Sequence, residues 1–173
     1  RANVCCTREF LVRGRLSSQD TSRRHCQADI ESYAHIIGYC PKVQDARIKR
    51  HNNICDLLIE EDKTKDWIVF QEPNLRVDNN NPLKPDSIFV KGKQALVIVV
   101  TIRYESNLPS LSEADTEKVQ KYQHLTQQIQ DLTNSASVNY VGFPMGTRGK
   151  WYLGNYDISS EIRLSKSCQF KVA

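Results

Sequence analysis

No stretch of this chain is apolar over the ~20 residues that a bilayer-spanning helix requires, and no basic-then-apolar leader opens it. The protein is therefore expected to be neither membrane-spanning nor secreted by a signal. It also lacks an initial methionine: the first residue is Arg1, so a piece of something longer is expected. Without a leader, the six cysteines read first as thiols or metal ligands rather than disulfides. Neither sign of charge dominates. Twenty-four Lys and Arg against 20 Asp and Glu leave +4, which is compatible with nucleic acid without requiring it. Disorder is excluded by 39% hydrophobic residues, and 173 residues suffice for one domain plus a small appendage.

What is present centres on residues 84–102. Lys84-Pro85-Asp86-Ser87-Ile88-Phe89-Val90, a Gly92-containing turn, and Ala95 to Ile102 read as two adjacent antiparallel strands. The second strand is apolar enough to be buried on both faces. Proline cannot donate to a ladder and favours a strand start, so Pro85 fixes where Asp86 emerges, as either a turn former or a ligand.

Upstream, Arg1, Arg8, Arg13, Arg15, Arg23 and Arg24 interleave with Gly14, Ser17 and Ser18, a solvated loop or a phosphate-contacting arm. Cys5 and Cys6 are vicinal and lack tetrahedral-site spacing. Cys26, His35 and Cys40 have the spacing of a zinc knuckle whose first ligand belongs at position 23, where Arg23 stands. An arginine cannot be deprotonated and repels a metal. The cluster is thus either a depleted zinc site or two ordinary buried thiols and a core histidine.

From Val43 to Glu61 a helix is expected, with Ala46, Ile54, Leu57 and Leu58 as its apolar stripe. Arg47, Arg50 and His51 fall on another face, one that suits a phosphate backbone. A strand over Trp67–Phe70, an Asn-rich loop from Arg76 to Pro82 and a long helix from Ser112 follow. The helix is expected to bury Val119, Tyr122, Leu125, Ile129 and Leu132, with Lys118 sharing a face with Tyr122. A strand over Val138–Phe143 and a short helix over Ser159–Leu164 complete an α/β sandwich, a mixed sheet flanked by helices.

The ordered set Arg50-His51-Asn52, Glu72-Pro73, Lys84-Pro85-Asp86, Val97 to Ile102, Lys118 and Lys121-Tyr122 resembles the restriction-like endonuclease domain of R-two-type non-LTR retrotransposons. Cys26, His35 and Cys40-Pro41 resemble the zinc knuckle before that domain. Thr7-Arg8-Glu9 with Arg13-Gly14-Arg15 resembles the linker upstream, and Arg148-Gly149-Lys150-Trp151 with Asn155 the carboxyl-terminal end. The resemblance implies a basic linker over 1–22, a CCHC-like knuckle over 23–42 lacking one ligand, and over 43–173 an endonuclease of restriction-like (PD-(D/E)xK) fold.

The protein implied is the carboxyl-terminal piece of a Pol polyprotein with reverse transcriptase upstream. It would nick chromosomal DNA in the nucleus to prime reverse transcription, with target DNA and element RNA as partners. Asp86 would be the first ligand of Mg2+ or Mn2+, Lys118 or Lys121 the lysine near the scissile phosphate, and Glu72 an auxiliary acid. Arg47, Arg50, His51 and Arg148 would contact nucleic acid, and Cys26, His35 and Cys40 would offer three ligands to Zn2+. The second metal-binding acid of the pattern falls at position 99, which is Val99. An aspartate there is expected to restore a second anchor if the position faces a wet sheet edge. Glu105 is no substitute, because six residues of extended strand span about 20 Å. A catalytically inactive nucleic-acid-binding module is the alternative.

Overall fold

The structure, a computed structural model, describes residues 6–13, 20–62, 67–76, 82–107 and 109–172. Arg1, Cys5, Gly14, Arg15, Ser17, Ser18 and the three asparagines at 79–81 lie outside the described residues. The chain divides into two compact units, Arg1–Arg50 and His51–Ala173.

In the first unit, α1 (Arg8–Val12) is capped by the Thr7 hydroxyl, which accepts the Phe10 N–H at 3.1 Å. A π-helical turn at His35–Tyr39 and a 3-10 turn at Pro41–Val43 lead into α2 (Gln44–Asp62). The helix expected from Val43 is therefore present, and Pro41 heads the 3-10 turn before it, where its missing N–H costs nothing.

The second unit is a mixed four-stranded sheet flanked by helices. Its strands are β1 (Ile68–Gln71), β4 (Ser87–Lys91), β5 (Gln94–Arg103) and β6 (Ser137–Gly146), in the order β1-β4-β5-β6. A separate pair joins β2 (Leu75–Arg76) and β3 (Pro82–Leu83). β4 and β5 form the expected antiparallel hairpin, with Ser87 opposite Ile98 and Lys91 opposite Gln94. Gly92 takes φ +60 at the first position of its two-residue turn, a conformation that L side chains resist. The crossover to β6 makes the last pair parallel, with Gln94 opposite Ser137.

β5 is buried on both faces, as its unbroken apolar run requires. On one face Ile88, Val90, Val97 and Val99 meet Tyr122, Leu125 and Ile129. On the other, Phe89, Ile98, Val100 and Phe143 pack with Ile54, Leu58, Ile158 and Ile162.

Two helix expectations need correction. The long helix begins at Ser110 and is broken, as α3 (Ser110–Tyr122), a 3-10 turn at Gln123–Leu125, and α4 (Thr126–Thr133). The tighter turn shifts the helical phase, so Tyr122, Leu125 and Ile129 are buried while Leu132 is left 44% exposed. The closing helix is two pieces, α5 (Asn155–Glu161) and α6 (Lys166–Val172), which bury Ile158, Cys168 and Val172.

β6 is an edge strand, and α3 covers that edge at close range. Asp115 Oδ1 accepts the Gly142 N–H at 2.8 Å, and a Cβ at Gly142 would stand 2.7 Å from the Asp115 Cα. Only glycine permits this approach, which sets the height of α3 over the sheet. Gly142→Val is expected to cost about 3 kcal/mol through overpacking against backbone. A urea unfolding curve superimposing on that of the parent protein would contradict this.

Candidate active site and metal positions

Asp86 lies one residue before β4, at the open end of the β4–β5 ladder. Its carbonyl accepts the Glu72 N–H at 3.0 Å and its Oδ2 accepts the Val100 N–H at 2.7 Å, so backbone on both sides fixes the residue. The Tyr122 hydroxyl donates to the Lys84 carbonyl at 3.1 Å and ties the Lys84-Pro85-Asp86 corner to α3.

His51, on α2, lies with Nε2 3.5 Å from Asp86 Oδ2 and 3.3 Å from the Val100 carbonyl. Its Nδ1 lies 3.3 Å from Asn52 Oδ1 and 3.8 Å from Cys55 Sγ. Acceptors at both ring nitrogens suit an imidazolium. Asp86 first, then Cys55, push the His51 pKa up to about 11 against the opposing effect of burial. Burial pushes the Cys55 thiol up as well, so near neutrality the thiol is uncharged and Asp86 is the charge partner. The three side chains offer ligand atoms within 4.8 Å of one another. The imidazole stands between the other two, with one nitrogen toward each, which is a hydrogen-bonded array.

Asp86 also borders a cleft of about 410 Å³ with Asn52, Cys55, Asp56, Gln71 and Glu72. Glu72 is held at φ +43, a conformation rare for a residue with a side chain. From α3, Lys118 responds to the same carboxylate. Burial first and Lys121 second push its ammonium down, and Asp86 draws it back up. Arg103 pairs with Glu117, and the Lys121 ammonium lies 5.0 Å from the centre of the Tyr122 ring.

The other expected residues make contacts within the chain. His51 is turned into the site rather than held on a phosphate-facing helix surface. Arg47 donates to the Gly38 carbonyl, and Arg50 is half-buried. Arg148 donates from Nε to Glu105 at 3.1 Å and lies over the Tyr104 ring. The Glu105 carboxylate also accepts the Thr147 N–H at 3.1 Å, so it secures the end of β6.

In the first unit, Cys26, His35 and Cys40 converge. Cys26 Sγ lies 3.2 Å from His35 Nε2 and 3.8 Å from Cys40 Sγ. The guanidinium of Arg23 pairs with Glu31 at 3.0 Å and lies near enough to Cys40 to help draw its thiol pKa down. Three donors with a fixed cation against one of them do not fit a closed four-ligand zinc site. Of the arginines read as a phosphate arm, Arg8 pairs with Asp20, Arg13 with Glu9, and Arg23 and Arg24 with Glu31.

No protein-family model matches the chain. Over 157 residues, 88% of its length, it is 30% identical to a retrovirus-related Pol polyprotein from type-1 retrotransposable element R2 of Popillia japonica. A second such polyprotein from that organism is 28% identical over 159 residues, and one from Bradysia coprophila is 23% identical over 172 residues. The chain belongs to the R2-type Pol polyprotein family. It spans 32%, 21% and 20% of the length of those relatives.

Within this R2-type chain, position 99 is where sequence expectation and structure part. β4 and β5 pair as far as Ser87 and Ile98, one residue before Asp86 and Val99, and the Val99 side chain belongs to the face covered by α3. That face is dry: Val99 is 3% exposed among Ile88, Val97, Tyr122 and Leu125. The two-acid site implied by the resemblance is not built. The Asp56 and Glu72 carboxylates and the Asn52 and Gln71 side-chain amides line the cleft beside Asp86, but among the described residues the only ligand atoms within 4.8 Å of one another there are those of His51, Cys55 and Asp86.

Asp56 was not singled out from the sequence. Its spacing of four from Asn52 on one helix was the available signal. The role of His51 as partner of Asp86 was missed as well, because the two are 35 positions apart and meet only through the packing of α2 on the sheet.

Two outcomes follow for this R2-type chain. Val99→Asp is expected to lose about 3 kcal/mol of stability, because it buries a carboxylate in an apolar cluster. A melting temperature at or above that of the parent would contradict the dry environment. The His51–Asp86 pair sets a pH dependence. With the folded pKa raised, its stabilisation is complete below the unfolded value near 6.5 and is lost as pH rises through about 11. The gap in urea midpoint between the parent and His51→Gln should therefore shrink across that alkaline window.

Proposed function

We propose that this chain is the DNA-nicking part of an R2-type Pol polyprotein, with a restriction-like fold. The observation that carries the reading is the Asp86 carboxylate at the open end of β4 and β5, bordering an oxygen-lined cleft and within the electrostatic reach of Lys118. In-line hydrolysis of a phosphodiester needs a held cation, a positioned phosphate and stabilisation of the charge that builds on it. Asp86 would anchor Mg2+ or Mn2+, with Glu72 and Asp56 lining the cleft beside it, and the ion would supply an activated water and neutralise charge on the phosphate. Lys118 would face the scissile phosphate, its ammonium kept poorly solvated by partial burial. Lys121, Arg47, Arg50 and Arg148 would contact the backbone of the duplex without reading its sequence. Target DNA and element RNA would be the partners, reverse transcriptase the neighbour in the same polyprotein, and the nucleus the place of action.

A second reading is a nucleic-acid-binding module that does not cleave. The two departures at the site favour it: Val99 in place of an acid, and an imidazolium already paired with Asp86.

Nicking of supercoiled plasmid in Mg2+ or Mn2+ separates the two. Under the first reading, Asp86→Ala abolishes nicking and Lys118→Ala lowers it by roughly 10²-fold. Both variants should keep a salt-sensitive affinity for DNA. Absence of nicking by the parent, with that affinity intact, would replace the first reading by the second. Nicking that survives Asp86→Ala would remove Asp86 from the chemistry.

A further inference from the structure

We infer that Arg23 takes the place of a metal ion in the first unit: its guanidinium, locked by the buried Glu31 carboxylate, supplies beside Cys40 the positive charge that zinc supplies in a four-ligand knuckle, and this unit folds without zinc. The inference is independent of whether the chain cleaves DNA.

The three remaining ligand positions keep the geometry of a knuckle. Tetrahedral zinc with Zn–S near 2.3 Å and Zn–N near 2.0 Å sets its ligand atoms about 3.5–3.8 Å apart. Cys26 Sγ lies 3.8 Å from Cys40 Sγ, within that range, and 3.2 Å from His35 Nε2, a few tenths of an ångström closer than zinc would set them. The fourth corner belongs to position 23, which carries a permanent cation.

That cation is held firmly. The Arg23 side chain is 7% exposed and Glu31 is fully buried. The Arg23 backbone N–H donates to the Ala28 carbonyl at 2.9 Å, closing the short loop that carries Cys26. The Glu31 carboxylate accepts from Arg23 Nη1 at 3.0 Å, from the Arg24 guanidinium at 2.6 Å, from the Arg24 backbone N–H at 3.1 Å and from the Arg8 backbone N–H at 3.2 Å. A buried carboxylate requires this many donors, and together they join α1, the segment around Thr21–Arg24 and Glu31 into one ionic cluster. Bringing a divalent ion to Cys26, His35 and Cys40 would press it against a guanidinium that its pairing with Glu31 holds in place. Withdrawing Arg23 would strip Glu31 of one of its two charged partners.

The test uses the full chain, with zinc as the probe. Measurements are zinc content, hydrogen exchange of residues 21–40, and melting with and without a chelator. The parent protein is expected to hold far less than stoichiometric zinc and to keep its exchange protection in chelator. Arg23→Ala should lose that protection and lower the melting midpoint by roughly 5 °C. Arg23→Cys should behave like Arg23→Ala in chelator, then take up stoichiometric zinc and regain protection, with Co2+ giving a tetrahedral spectrum. Glu31→Gln should mimic Arg23→Ala, and added zinc should not rescue it. Stoichiometric zinc in the parent with chelator-sensitive protection would overturn the inference. So would an Arg23→Ala protein as protected as the parent in the absence of metal.

Discussion

The hydrogen bond from the Val100 amide to the Asp86 carboxylate is the contact on which the site depends. At the end of an antiparallel ladder the next backbone amide has lost its strand partner and must find another acceptor. A side-chain carboxylate performs that duty here, so Asp86 finishes the β4–β5 pairing and is simultaneously fixed at the mouth of the sheet. Once the carboxylate is fixed and only 16% exposed, its charge has to be answered nearby. His51 answers it from α2 and Lys118 acts on it from α3, helices packed on opposite faces of the sheet. Tyr122 and Gly142 serve the same arrangement, one by bonding the Lys84 carbonyl and the other by letting α3 descend onto β6.

Charge compensation by side chains recurs where the family resemblance implies metals. In the second unit, an imidazolium lies against the acid that would anchor Mg2+. In the first, a guanidinium lies against a thiol that would anchor Zn2+. The physical requirement is the same in each case, since anionic or easily ionised ligands brought together away from water need positive charge among them. A bound ion meets that need with several strong bonds and correspondingly strict geometry. A side chain meets it with a weaker contact and an extra partner of its own, Glu31 for Arg23.

The surroundings of the Asp86 cleft show a second consequence of valine at position 99. The β5 strand is continuously apolar there and belongs to the cluster beneath α3. Carboxylates that remain near Asp86 come from elsewhere, Glu72 from the end of β1 and Asp56 from α2. A hard cation needs oxygen ligands in number more than it needs any one strand to supply them.

Much of this was legible from sequence alone. The β-branched runs and Gly92 dictated the central hairpin, Pro85 dictated where Asp86 emerges, and the unbroken apolar run of β5 dictated a strand covered on both faces. These are local consequences of backbone sterics and hydrophobic patterning, so neighbouring residues suffice to state them. The spacing of Cys26, His35 and Cys40 likewise announced their convergence and exposed Arg23 as the odd member. Tertiary structure alone decided that Val99 faces a dry cluster, that His51 turns to Asp86, that Glu105 is spent on Thr147 and Arg148, and that Glu31 holds Arg23. Each of these joins residues from separate elements, or depends on which layer covers a strand face, and periodicity within one element carries no record of what packs against it.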